Sequence, residues 1–290
     1  MLWLVTRVIY NMNITKGGAM FWNKKQEGVD AKWQWGLAGT FVVAMILNGL
    51  AGGSKVLGGV DTAAVSDSYP NLFAPSGVTF AIWGVIYLLL LGFIAYVFGI
   101  GRPKKSALST KDLTKVTKLL TINLAINAVW ILAWQYKIIW LSLLLMVALL
   151  VTLILIVNKL RKVELPAKEY VLAKLPFSVY FGWISIATVA NVVIWLVSIG
   201  WKGGSISEGT WMVGVLLVAA VIGIVTTLRN KDAAYLMVFV WAFAGILLKH
   251  LSPQGFDGAY PSTIITLSVL LAVFLSVIIQ LLMKSSAKKR

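Results

Sequence analysis

An all-α polytopic membrane protein is the fold class this sequence predicts, and three observations carry the prediction. Hydrophobic residues make up 59% of the 290 and charged residues only 12%, with a mean hydropathy of +0.87. That balance is foreign to ordinary soluble domains. The apolar residues gather into eight long unbroken runs, where a β-barrel would show short alternating segments. Lys and Arg crowd into every second connection, the pattern of a chain threaded back and forth through a bilayer.

The runs follow in order. Met1 to Tyr10 is apolar, too short to span, and interrupted by Arg7. No small-residue cleavage site follows it, which argues against a signal peptide; it is expected to lie in the interface, or translation to start at Met12 or Met20. The first span is expected over about Gln34 to Gly52, followed by a polar, Gly-rich loop ending in SYPNLFAPSG. The second covers about Val78 to Gly99, the third about Leu119 to Tyr136, and the fourth about Ile138 to Val157. The fifth, about Pro176 to Trp195, reads PFSVYFGWISIATVANVVIW. The sixth, seventh and eighth cover about Thr210 to Leu228, Ala233 to Leu248 and Thr263 to Met283. Such lengths suit a hydrocarbon layer about 30 Å thick.

Charge then sets orientation. Of the 26 Lys and Arg, 22 fall on the side of the N-terminal segment, and only Lys55, Lys137, Lys202 and Lys249 on the other. The positive-inside bias places both termini in the cytoplasm. It also accounts for the net charge of +16, with contact to anionic headgroups as a secondary effect. Nucleic-acid binding is not needed to explain it.

Composition removes several chemistries. There is no Cys and one His, His250, so disulfides, thiol catalysis and multi-histidine metal sites are excluded. The ten Asp and Glu fall outside the apolar runs, which argues against a proton-coupled pump and against paired-carboxylate hydrolysis. No catalytic residue, metal ligand or cofactor is expected. His250 reads as an interfacial residue and Lys249 as a snorkelling anchor.

Three spans carry aromatic stripes. In the fifth, at about 100° per residue, Tyr180, Trp183, Ala187, Asn191 and Trp195 share one face. Thr188 stands at its edge, with Ser178 and Ser185 on the far side. In the third, Asn123, Asn127, Trp130 and Trp134 form one narrow stripe; in the second, Phe80, Trp83 and Tyr87 recur on one face. Pro75 and Gly77 fix the turn into that helix. Trp and Tyr also serve as interfacial anchors, and Asn as interhelical glue, so the fifth-span stripe alone reads as packing before it reads as a pocket. Unpaired amides cannot face lipid cheaply. Three facing stripes favour an apolar pocket with a few amide and hydroxyl groups.

These residues resemble the TspO/MBR family, the tryptophan-rich sensory or translocator proteins. Its second-helix motif matches Trp83, Ile86 and Tyr87, with Pro75 upstream, and its third-helix motif Asn127 and Trp130. The fifth-helix motif matches Tyr180, Trp183, Ala187, Thr188 and Asn191 in full. The resemblance covers about residues 34–199. It implies a five-helix bundle with an internal pocket under the first loop, often dimeric, in a bacterial cell membrane. It further implies binding of porphyrins, sterol-like lipids and isoquinoline or benzodiazepine drugs.

Three regions are therefore expected: a cytoplasmic segment 1–33, a TspO-like unit 34–199, and three further spans with a basic tail, 200–290. A chain ending near Lys202 is expected to keep the pocket. The leading functional expectation is binding of a flat hydrophobic ligand, a tetrapyrrole or lipid-like molecule, by a sensor or transporter. The alternatives are a permease for another apolar solute, a light-dependent enzyme degrading porphyrin through Trp83, Trp130 and Trp183, or a structural partner of another membrane complex. The expected partners are the hydrophobic ligand and the lipid bilayer, with a homodimer as a further possibility and no nucleic acid.

Overall fold

The computed structural model describes residues 28–53, 56–201 and 203–287. The readings of Met1 to Tyr10, Lys55 and Lys202 lie outside them. Among the described residues 77% are helical, none is in a strand, and eight helices are long and apolar enough to cross a membrane. They are α1 (Ala31–Gly53), α3 (Ile82–Val97, after a 3-10 turn over Gly77–Ala81), α4 (Thr110–Gln135), α5 (Ile139–Leu160), α7 (Leu175–Ser198), α8 (Glu208–Asn230), α9 (Ala233–Leu251) and α10 (Pro261–Ala287). Two short helices, α2 (Thr62–Asp67) and α6 (Ala167–Ala173), lie in connections.

Local chemistry sets the ends that hydropathy misses. α4 begins nine residues before the expected start of the third span. Ser109 caps it, accepting from the Asp112 N–H while its hydroxyl donates to the Asp112 carboxylate. The polar first turns are thus helical although they are not apolar. Ser207 caps α8 and Asp232 caps α9 in the same way.

Five spans close into a ring, α1 on α4, α4 on α5, α5 on α7, α7 on α3 and α3 on α1. The other three form a wing: α9 packs on α7, α10 on α9, and α8 against both. The far side of α7 makes this joint. Ser178 Oγ donates to Asp232 Oδ2 at 2.5 Å, and the Tyr235 hydroxyl donates to Ser185 Oγ at 3.0 Å. At the crossing, a Cβ on Gly182 would lie 2.8 Å from the Tyr235 carbonyl oxygen. Only glycine permits that approach.

Two carboxylates outside the apolar runs prove buried. Glu169 of α6 is 1% exposed and accepts from the Tyr96 and Ser106 hydroxyls at 3.0 and 2.9 Å. Asp232 is 6% exposed at its cap. Both stand at the basic end of the molecule, not at the centre of a span.

Candidate functional site

The site is built from the aromatic stripes of α3, α4 and α7. Trp83 is its hub: its ring lies 5.7 Å from Tyr87, 5.8 Å from Trp130, 6.0 Å from Tyr180 and 6.4 Å from Trp183. Trp130 stacks on Trp134 at 6.1 Å, and Phe80 meets Trp183 edge-on at 6.0 Å. Offset and edge-on pairs of this kind add about 0.5–1.5 kcal/mol each beyond area burial.

Beside these rings is a small, almost wholly apolar cavity of about 50 Å³. Seven of the sequence-predicted residues line it: Phe80, Trp83, Trp130, Trp134, Trp183, Ala187 and Asn191. Ala187 is among them, half-buried on α7. The other five do not line it. Tyr87 and Asn127 form a polar node behind the rings, where the Tyr87 hydroxyl and the Asn48 amide both donate to Asn127 Oδ1, at 3.1 and 2.9 Å. Tyr180 is buried beside the same amide, although without a well-formed hydrogen bond. Asn123 donates to the Leu149 carbonyl at 3.2 Å and to Thr152 Oγ1 at 2.7 Å, clamping α4 to α5. Thr188 bonds back to the Ile184 carbonyl of its own helix.

Asn191 is also engaged, donating to the Ala187 carbonyl and accepting from Ser142. The indoles differ. Trp134 Nε1 donates to the Thr62 carbonyl at 3.2 Å, whereas Trp130 Nε1 and Trp183 Nε1 are buried without an acceptor among the described residues. An orphaned buried donor costs about 1–3 kcal/mol.

Two parts of the wall are not legible in the stripes. The first is a lid, the loop after α1, which contributes Thr62, Ser66, Phe73 and Pro75. α2 within this loop is marked only by its cap, Asp61 accepting from the Ala64 N–H. The second is α9, which contributes Ala242 and Ile246. The pocket is therefore not confined to residues 34–199, and the expectation for a chain ending near Lys202 is revised.

The lid is tied down at several points. Gln135 Nε2 donates to the Leu57 and Val60 carbonyls at 3.0 and 2.8 Å. The Ser76 N–H donates to the Gly245 carbonyl at 3.0 Å. Lys249 is a latch, paired with Asp67 at 2.5 Å, instead of a snorkelling anchor. His250, in the last turn of α9, is buried within the protein, its Nε2 3.0 Å from the Leu72 carbonyl oxygen. Sequence spacing could not show either partner, because both lie about 180 residues away.

Among the described residues no cluster of His, Asp and Glu could hold a metal ion. The family model described as TSPO-like protein matches residues 34–281, beyond the stretch of the sequence resemblance and through the last three spans. No curated protein and no solved structure matches the chain.

Proposed function

This chain belongs to the TSPO-like protein family, and we propose that it is a membrane sensor or carrier binding a flat hydrophobic molecule of tetrapyrrole type in the Trp-lined chamber. The observation that carries the reading is an apolar cavity walled by Trp83, Trp130 and Trp183, beside which the Trp130 and Trp183 indole N–H groups are buried without an acceptor among the described residues. Packing alone gives no return for two buried donors without acceptors. A planar ligand with acceptor atoms at its edge satisfies both, while its faces stack on the rings around Trp83.

The chamber is closed in this state. Its volume of about 50 Å³ suits one or two waters, whereas sites for drug-sized ligands run to roughly 300–1,000 Å³. Binding therefore requires the lid, residues 56–76, to lift from α9 and from the end of α4. By the positive-inside bias the lid faces away from the cytoplasm, so the ligand arrives from that side.

The test is titration of the purified protein with protoporphyrin IX, read by tryptophan quenching, with other planar apolar compounds screened beside it. Saturable quenching is expected. If neither porphyrin nor any planar compound quenches saturably, the reading is wrong. Uptake into proteoliposomes separates a carrier from a sensor.

A further inference from the structure

A second cavity opens at the lid end of the molecule, where α7 ends and α8 begins. Its volume is about 510 Å³, within the range of small-molecule sites. Two aromatic pairs wall it. Trp201 and Trp211 meet edge to face with centroids 4.5 Å apart, and Phe256 and Tyr260 stand perpendicular at 5.6 Å. Its floor is apolar, with Val193 and Met212 among the lining side chains.

One ionised side chain lines it among the described residues: Glu208, in the first turn of α8. The Tyr260 hydroxyl donates to Glu208 Oε2 across a long 3.4 Å. Desolvation, and then the nearby carboxylate, push the Tyr260 phenol above its ordinary range, so it stays a neutral donor. Lys202, next to Trp201 in the sequence, lies outside the described residues.

Interfacial anchoring explains single Trp or Tyr side chains lying among headgroups. It does not explain four rings around one recess with a carboxylate at its rim. Aromatic faces carry negative potential, and rings gathered with one anion at the rim suit a cation, above all a quaternary ammonium; Lys249 Nζ already lies over the Phe256 ring at 6.0 Å, which leaves Trp201, Trp211 and Tyr260 for a ligand. The apolar floor selects a hydrocarbon portion on the same molecule.

We propose that this cavity binds an amphiphilic organic ammonium, its head among Trp201, Trp211, Tyr260 and Glu208 and its apolar body over the floor. The site stands whatever the inner chamber binds. The ammonium comes either from a choline lipid headgroup or from a free amphiphilic amine.

The test uses the full chain in a neutral maltoside detergent and radiolabelled octyltrimethylammonium, measured by equilibrium dialysis against empty micelles. Saturable binding is expected, not displaced by octyl sulfate, which has the same tail and the opposite charge. Trp211→Ala should weaken it about tenfold and Glu208→Gln about threefold. If Trp211→Ala does not fold, Trp211→Phe and Glu208→Gln carry the comparison. Displacement by dihexanoyl phosphatidylcholine identifies the lipid headgroup as the source, and its failure identifies a free amine; both uphold the site. Absence of saturable binding overturns it, as does equal displacement by octyl sulfate. Variants that bind like the wild type, with unchanged melting, overturn it too.

Discussion

Replacing Gly245 with Ala should undock α9 from the start of α3. Gly245 faces Thr79, which is 1% exposed. An added Cβ would overlap Thr79 Oγ1 outright and lie 2.8 and 2.9 Å from its Cγ2 and Cβ. A buried Thr cannot turn away, because χ1 of a β-branched residue is stiff. The helix must therefore shift. The shift strains the Ser76 N–H bond to the Gly245 carbonyl and the Trp241 Nε1 bond to the Thr79 carbonyl, now 3.0 and 2.9 Å.

Overpacking costs about 1–3 kcal/mol, and two hydrogen bonds add about 1 kcal/mol each. The better helix propensity of Ala returns about 1 kcal/mol. The net loss is about 2–4 kcal/mol, or roughly 5–15 °C in melting temperature at about 2–4 °C per kcal/mol. Thr79→Ala removes Oγ1 and Cγ2, so the double variant should regain more than half of that loss. The assay is thermal unfolding of the four proteins of the double-mutant cycle. A Gly245→Ala protein melting like the wild type would show that no clash with Thr79 limits the packing of α9, and so would strictly additive losses in the double variant.

Gln135→Leu removes both lid bonds to Leu57 and Val60; stopped-flow quenching should show porphyrin associating faster, with a melting temperature several degrees lower. Lys249→Gln breaks the latch to Asp67, whose carboxylate is 56% exposed, so the gain in association rate should be at most about fivefold. A chain ending at Trp201 lacks Ala242 and Ile246 of the chamber wall and should bind porphyrin at least about tenfold more weakly even where it inserts. Reporter fusions after residues 110 and 290 should read cytoplasmic, and those after 60 and 205 external.

The spans were legible because hydropathy is a property of each residue, and the stripes because helical spacing fixes which residues share a face. The match extends to the back of α7, where Ser178 and Ser185 turn away from the aromatic stripe and meet the wing. What spacing cannot give is the partner. Asn123 and Asn127 occupy one stripe, yet one clamps α5 and the other gathers Tyr87 and Asn48. His250 and Lys249 read as surface groups until α9 brings them to Leu72 and Asp67. Polar helical turns, as at Thr110 and Thr62, escape an apolar criterion and show only in their caps.

If the space beside Ala187 belongs to a ligand, Ala187→Phe should abolish the fit. Phe is favourable at the centre of a span, so insertion should be unaffected. The ring overfills a recess of about 50 Å³ among Trp83, Trp130 and Trp183. It should cost a bound ligand about 1–3 kcal/mol, or roughly 5- to 150-fold in affinity. Porphyrin quenching and melting temperature are measured together on the variant and the wild type. A large loss of affinity is expected, with the variant still folded. Unchanged porphyrin affinity alongside a large drop in melting temperature would contradict it, leaving a tightly packed, Trp-rich bundle with no ligand at its centre.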